Sequence, residues 1–538
     1  MATTTPWWKG AVIYQIYPRS FLDTDGDGVG NLAGVTEKLD YLNDGTENSL
    51  GIDAIWLNPF YPSPQFDFGY DVMDYRAVDP QYGTMEDFDR LLSEAHRRNI
   101  RIIMDIVPTL TSHLHPWFIE SRSSKTNPKR DWYLWHPGRE RRRYPNNWMG
   151  AFGKRPWDWD NKTKEFYYHN SLPEQPDLNW RNPEVQKAIL DAMAFWFEKG
   201  VDGFRIDVLN LTVKDELFRS NPYCIGRRPY DMQRHLYDKD RPEAVEVGKM
   251  MRRLADRYDE RMLVGETYIF DPEQAAKFLG DGDGVHMAFN FSFMNSRFSA
   301  ARFRREVSAW ERAVGNRGWP AYFLSNHDND RHITRYGRGK WTVARARVAA
   351  AMLLTLRGTP FLYMGEEIGM EHGRLKRHEL MDPIGRRYYP LHHGRDGART
   401  PMQWTGEPNA GFSSGSPWLR VNPSYPTTNV ADQERDPDSL LTLYRRLIRV
   451  RKASAALSAG TYTPIDRVEK GVFAFLREAE GQKILVLLNF SRWQRRLSIQ
   501  QDPKRFGKKV LAYPDIYAGS VPLARIELAP YGILIAEV

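Results

Sequence analysis

The sequence predicts an α/β fold: a (β/α)8 TIM barrel, with a loop-rich subdomain inserted after strand 3 and a C-terminal antiparallel β-domain. Short apolar runs alternate with amphipathic segments, as expected of parallel strands joined by crossover helices. Eight such runs can be counted, which is what a closed barrel needs. Near residue 457 the pattern turns to alternating short strands without intervening helices, which reads as antiparallel sheet.

Taken in order, the candidate strands are residues 11–18, 53–59, 101–107, 203–208, 262–268, 287–293, 321–326 and 360–365. Amphipathic segments between them cover 84–98, 183–199, 247–259, 300–314 and 342–356. The third strand is followed by residues 108–181, rich in Trp, Pro, Asn and His and too long for an ordinary βα loop. An inserted subdomain is therefore expected over 108–179. Further insertions follow the fourth strand (214–243) and the eighth (372–435), and a helix at 438–452 closes the barrel. The barrel then comprises 1–107 and 180–456, and a C-terminal β-sandwich occupies 457–538, with strands at 471–477, 483–489 and 533–538. No internal repeat or low-complexity tract is evident.

Composition narrows the function classes. The 17 Trp, 27 Tyr and 26 Phe suit binding of sugar rings, whose apolar C–H faces stack on aromatic side chains, and suit a large aromatic core equally well. Net charge is +8, but the basic residues are dispersed. The densest run, Arg139 to Arg143, contains an acid and reads as a solvated loop, so no nucleic-acid partner is expected. The single cysteine, Cys224, excludes an intrachain disulfide. Residues 1–10 hold no apolar h-region and no stretch reaches transmembrane length, so no membrane association and a cytoplasmic location are expected.

Barrel enzymes place their chemistry at the C-terminal ends of the strands, and acids recur there: Asp105, Asp207, Glu266, and Asp328 just past strand seven. One such acid is commonly a helix cap or an ion-pair partner; four are hard to attribute to capping. Retaining glycoside hydrolysis needs a nucleophilic carboxylate and a carboxylic acid about 5 Å apart. Asp207 and Glu266, on adjacent strands, can meet that separation. Asp328 could hold sugar hydroxyls and favour a distorted ring. Arg205 shares the pleat face of Asp207 and is expected to hold it ionised at neutral pH.

The segments Gly203-Phe-Arg-Ile-Asp207, Val264-Gly-Glu266-Thr and Ser325-Asn-His-Asp328 resemble three signature regions of glycoside hydrolase family 13. Tyr14-Gln-Ile-Tyr-Pro-Arg-Ser-Phe21, Asp67-Phe-Gly-Tyr-Asp71, Gln175-Pro-Asp-Leu-Asn179 and Arg399-Thr-Pro-Met-Gln-Trp404 resemble its oligo-1,6-glucosidase and α-glucosidase branch. The resemblance implies Asp207 as nucleophile, Glu266 as acid/base and Asp328 as transition-state stabiliser. It further implies that Asp67 and Arg399 grip the non-reducing-end hydroxyl and that Tyr70 stacks on the sugar. His327 and Arg205 would hydrogen-bond near the nucleophile, and Phe152 would form a pocket wall. Val208, after the nucleophile, resembles the α-1,6-active members. The loop Asp23-Thr-Asp-Gly-Asp-Gly-Val-Gly-Asn31 has oxygen-ligand spacing. By the same resemblance it holds a structural Ca2+ or Mg2+ through Asp23, Asp25, Asp27, the Val29 carbonyl and Asn31, with Asn replacing the usual ninth-position Asp. No catalytic metal and no organic cofactor are expected.

Two departures from the family pattern concern the pocket. The first signature region reads Asp105-Ile-Val-Pro-Thr109-Leu110-Thr-Ser112, with Leu110 where the family's histidine bonds the sugar 6-hydroxyl. Loss of that partner weakens the contact by about 1–3 kcal/mol unless His113 replaces it. Ser171 stands where relatives commonly carry Phe, and Lys154-Arg155 reads as an exposed loop. Together Leu110 and Ser171 predict a wider, more apolar pocket, fitted to a sugar that lacks O6 or carries a substituent on it. The expected function is a retaining exo-acting α-glucosidase that also transfers glucosyl units, acting on small oligosaccharides or α-glucosides as a monomer or homodimer. The alternatives are a sucrose or trehalose isomerase or transglucosylase, an enzyme for a modified sugar, and, in a different class, a non-catalytic binding barrel. The intact Asp207 and Glu266 speak against the last.

Overall fold

Eight short parallel strands close into a barrel in the computed structural model, which describes residues 5–140, 143–226, 228–466, 468–499 and 506–538. They are β1 (Ile13–Ile16), β2 (Ala54–Leu57), β3 (Arg101–Ile106), β4 (Gly203–Ile206), β5 (Met262–Gly265), β6 (Met287–Phe289), β7 (Trp319–Phe323) and β8 (Thr359–Tyr363). Each pairs with its neighbour in sequence, and β8 returns to β1, with Ile13 opposite Phe361.

The two-residue pleat explains both the core and the site. Ile13, Trp56, Ile103, Val264, Phe289 and Phe323 point inward and fill the barrel as one apolar cluster. Two residues beyond Ile103 and Val264 on the same face stand Asp105 and Glu266, and Arg205 is followed in the same way by Asp207. The face that packs the barrel floor thus delivers carboxylates at its top.

All eight expected strands are present. Those that run into the site end a few residues early, because the residues past the last ladder bond leave the sheet. The expected sixth strand, 287–293, splits: Asn290 accepts a hydrogen bond from Phe293 N and caps a short helix, Phe291–Met294. The expected helix 247–259 is Pro242–Ala255, begun by Pro at its first position. Helix Pro183–Lys199 has the expected bounds, between the Asn182 cap and Gly200 in the left-handed region.

In the insertion after β3, Trp157–Asp160, Glu165–Tyr168 and Trp135–His136 form a small antiparallel sheet around Trp148 and Trp157. It is tied to the barrel by a buried ion pair, Lys214 Nζ to Asp177 Oδ2 at 2.5 Å. The C-terminal region is a six-stranded antiparallel sheet with a two-stranded partner. One face, through Phe473, Phe475, Val486 and Ile535, packs on the barrel layer. The other, through Ala474, Leu487 and Leu534, packs on Leu497 and Ile526 of the small sheet.

Much of the aromatic wealth is core: Trp148, Trp157, Trp196 and Trp310 are fully buried. Lys154 and Arg155 are exposed, as expected. In the basic run, Arg139 donates to Pro145 O, while Arg141 and Arg142 lie outside the described residues, as do residues 1–4 of the N-terminal stretch. Cys224 is half-buried. Among the described residues no helix is long and apolar enough to cross a membrane.

Candidate active site

A cavity of about 260 Å3 opens at the C-terminal end of the barrel. Asp207, Glu266 and Asp328 line it, together with Asp67, Tyr70, Phe152, Leu110, Ser171 and Val208. Nine of the twelve expected catalytic and substrate-binding residues therefore face one space. The other three, Arg205, His327 and Arg399, are fully buried behind it.

Arg205 organises the floor. Its Nη1 donates to Asp207 Oδ1 at 2.8 Å and to Asp105 Oδ1 at 2.7 Å, while Nη2 pairs with Glu266 Oε2. Asp207 and Glu266 thus pair with the two ends of one rigid guanidinium fork, the close juxtaposition of carboxyl groups that a retaining pair needs. The two loops leaving β4 and β5 are locked to each other, Leu209 N donating to the Glu266 carbonyl at 2.8 Å. Val208 adopts φ +32°, strained for a β-branched residue, and its N–H lies 3.3 Å from Glu266 Oε2.

Burial opposes the role expected of Arg205 in keeping Asp207 ionised. Burial comes first in raising Asp207 well above the usual carboxylate range, and the pull of Arg205 is opposed by Glu266, Asp105 and Asp328. Burial likewise pushes Asp105 up to about 6, against Arg205. Arg205 thus faces three carboxylates at once, and burial outweighs its pull on Asp207 and Asp105.

Asp328 is in the opposite state. Burial alone would raise it, but His327, Arg395, Arg399 and Arg205 surround it and hold it well below the usual range. Arg399 Nη2 donates to Asp328 Oδ1 at 2.7 Å, and His327 Nε2 lies 3.2 Å from Oδ2. Burial pushes the His327 imidazole well below its ordinary value, against the pull of Asp328. Its ring is parallel to Tyr70 at 5.4 Å, and Tyr70 Oη donates to Asp105 Oδ2 at 2.9 Å.

Arg399 does not take the place expected for it beside Asp67. It lies behind Asp328 and donates through Nε to the His327 carbonyl at 2.9 Å. The cation that reaches Asp67 is Arg395, whose Nη2 is 2.5 Å from Asp67 Oδ1 and 2.7 Å from Asp382 Oδ1. Arg395 also lies over the Phe152 ring at 5.3 Å, so one guanidinium joins the β8 insertion, the β2 loop and the inserted subdomain. Sequence reasoning missed Arg395, and also Asn170, Gln175, Arg228 and Tyr268, which line the cavity too.

His113 does not substitute for the absent histidine. Its Nδ1 is 3.3 Å from Glu174 O, its ring packs on Phe66, and it is not among the cavity walls. His115 caps helix Pro116–Ser121 instead. The wall at Leu110 is accordingly apolar.

In the loop after β1, the carboxylates of Asp23, Asp25 and Asp27 converge within 4.8 Å. Hard oxygen donors at this spacing fit Ca2+ or Mg2+. A Cβ on Gly28 would meet Ser416 O at 1.9 Å, so the loop is folded tightly onto the β8 insertion. Asn31 Oδ1 already accepts from Gly34 N at 2.8 Å and from Thr24 Oγ1 at 3.1 Å. Asp23 is engaged in the same way, accepting from Asp25 N, Gly26 N, Gly28 N and Ser413 Oγ, so Asp23 and Asn31 both brace the loop around the three carboxylates.

Residues 15–460 match the family model described as the alpha amylase catalytic domain. A probable alpha-glucosidase of Rhizobium meliloti (strain 1021) is 43% identical over 501 residues, covering 90% of this chain and 89% of its own. An oligo-1,6-glucosidase of Heyndrickxia coagulans is 41% identical over 523 residues, covering 90% and 92%. The solved structure of XgtA, an alpha-glucosyl transfer enzyme, superposes with a TM-score of 0.92 at 40% identity over 99% of this chain and all of that one.

Proposed function

The chain belongs to the α-amylase family, glycoside hydrolase family 13, and from that premise we propose that it removes single glucosyl units from the non-reducing ends of α-glucosides with retention of configuration. It is a glycoside hydrolase, and an α-glucosidase acting on glucosides or small oligosaccharides. The observation that carries the finer reading is the shared clamp of Arg205 on Asp207 and Glu266 at the floor of a pocket closed by Asp67 and Arg395. A pocket shut at that end admits a chain terminus, not a chain interior.

In this reading Glu266 protonates the glycosidic oxygen as Asp207 attacks the anomeric carbon, forming a covalent glucosyl-enzyme. The leaving group departs with the proton. Glu266 then deprotonates water, which attacks the same carbon and releases Asp207. Asp328, held ionised by its four basic neighbours, grips ring hydroxyls while positive charge develops on the sugar. An acceptor hydroxyl in place of water gives transfer, and the likeness to a glucosyl transfer enzyme favours that second outcome.

Val208 at the rim supports a mild α-1,6 preference, and Leu110 with Ser171 supports tolerance of a sugar without O6 or substituted there. The proposed structural cation sits at Asp23, Asp25 and Asp27, helps to hold the loop after β1, and takes no part in the chemistry. A cytoplasmic setting suits the single unpaired Cys224, and we carry monomer or homodimer with this reading. The test is aglycone release from 4-nitrophenyl α-glucoside, with isomaltose and maltose alongside. Turnover is expected, with Asp207→Asn lower by at least about a thousandfold. Equal rates for parent and variant would refute the assignment of the nucleophile.

A further inference from the structure

The inserted subdomain carries a hollow of about 940 Å3 that shares no lining residue with the catalytic cavity. Arg139, Arg143 and Arg155 line it, and Glu140 is the one acid among its described walls. We propose that this hollow binds a small anion with two or more linked phosphate groups, at a site separate from catalysis.

The backbone forces like charges together there. Arg139 and Arg143 face each other across an antiparallel bridge, Arg139 N donating to Arg143 O at 2.8 Å and Arg143 N to Arg139 O at 3.3 Å. Directly opposed residues put their side chains on one face, where like charges destabilise the pair. The bridge is also pressed onto the small sheet of the insertion: a Cβ on Gly138 would meet Arg143 O and the Phe166 ring at 2.8 Å. Among the described residues none of the three arginines has a carboxylate partner, and Glu140, although it lines the same hollow, pairs with none of them. An anion from solution relieves that repulsion.

Two of the three guanidinium groups are already anchored. Arg139 Nε donates to Pro145 O at 2.9 Å, while Arg155 lies over the Tyr144 ring at 4.9 Å with Nη1 3.4 Å from Asn146 O. The floor beneath them is fixed by buried Asn146, whose Oδ1 accepts from Trp148 N at 3.1 Å and Trp157 Nε1 at 3.0 Å and whose Nδ2 donates to Phe218 O at 3.1 Å. Planar guanidinium forks match phosphate oxygens, and anchored forks lose less freedom on binding. The hollow is wider than one phosphate group, so linked phosphates reach more than one arginine. Basic residues are dispersed elsewhere in the sequence, so no stripe continues the site along a nucleic-acid chain.

The experiment is titration calorimetry at constant ionic strength with pyrophosphate, orthophosphate and sulfate. The parent is compared with Arg139→Gln/Arg143→Gln, with Arg155→Gln, and with Arg253→Gln/Arg312→Gln, which removes two exposed arginines from helices Pro242–Ala255 and Ala300–Val314. The parent is expected to bind one pyrophosphate per chain, at least about tenfold more tightly than orthophosphate or sulfate. Both hollow variants should lose about tenfold or more in affinity, the scale of one charge-assisted hydrogen bond, while the helix variant keeps the parent value. Turnover of 4-nitrophenyl α-glucoside at the parent rate shows that each variant is folded, and any capture of bound metal by pyrophosphate is common to all and cancels. Absence of binding to the parent overturns the site. So does an equal loss in the helix variant, which would reduce the effect to attraction by the net charge of +8, or sulfate bound as tightly as pyrophosphate.

Discussion

At the scale of single residues the site is a set of charge arrangements rather than a set of acids. Asp207 and Asp328 are carboxylates that line one cavity, yet they are driven in opposite directions. Asp207 shares its one cation with two other carboxylates, whereas Asp328 has Arg399 at 2.7 Å and also Arg395, which pairs with Asp67 and Asp382 as well. A nucleophile crowded by other carboxylates, next to a stabiliser held ionised, follows from how the arginines are distributed. Leu110 is the residue where chemistry departs most from the family pattern, and it can be tested alone. Leu110→His should raise turnover of 4-nitrophenyl α-glucoside by about tenfold, the scale of one regained hydrogen bond of ~1–2 kcal/mol. The matching α-xyloside, which has no O6, should gain nothing. An equal gain on both substrates would mean that the imidazole acts on the catalytic cluster and not on O6.

At the scale of elements, the helix between β7 and β8 shows how buried backbone ends are satisfied. Thr342–Thr355 is apolar on nearly every side and is packed between the barrel and the C-terminal sheet, so its last carbonyls have no water to bond. Arg451, fully buried, donates to Leu354 O and Leu356 O at 3.1 Å and to Gly358 O at 2.6 Å, and Arg477 donates to Thr355 O at 2.6 Å. Arg451→Met keeps the stem and removes those donors. Orphaning three buried carbonyls at about 1 kcal/mol or more each predicts a loss of at least ~3 kcal/mol, read as a lower urea midpoint with kcat of the folded enzyme unchanged. An unmoved midpoint would show that water replaces the guanidinium. The same elements mark the limits of reading a sequence. Strand existence was legible because apolar runs of strand length are a local signal. Strand ends were not, because Asp207 and Glu266 continue the pleat pattern after the ladder has stopped. Residues 287–293 read as one strand from their apolar character, although Asn290 ahead of Phe291 was a visible helix-cap signal. Arg395 left no trace at all: its position is set by Asp67 and Asp328, distant in sequence, and it lies in an insertion without periodicity, where motif resemblance favoured Arg399.

At the scale of the whole molecule, the barrel is closed by a seam between its first and last strands, and the loop after β1 reinforces that seam. Asp23 N donates to Phe412 O at 2.9 Å, Ser413 Oγ donates to Asp23 Oδ2 at 2.5 Å, and Trp418 N donates to Gly28 O at 2.9 Å. The loop therefore joins the start of the barrel to the long insertion that follows its last strand, and that insertion also carries Arg395 into the pocket. Three carboxylates converge at the loop, and among the described residues none of them has an ion-pair partner from Lys or Arg. A divalent cation there would remove their mutual repulsion and fasten two segments nearly four hundred residues apart in sequence. Because it would bind the folded chain and not the unfolded one, its stabilisation should follow its free concentration. About 100-fold above the dissociation constant that amounts to ~2.7 kcal/mol, or a rise of several degrees in Tm. Chelation with EDTA should lower Tm by that much and excess Ca2+ should restore it, with kcat at 25 °C unchanged while the protein stays folded. Asp25→Asn should behave as the chelated parent and show no further response to EDTA. If chelation instead abolishes turnover at 25 °C with Tm unmoved, the cation belongs to the chemistry, and the seam is held by its hydrogen bonds alone.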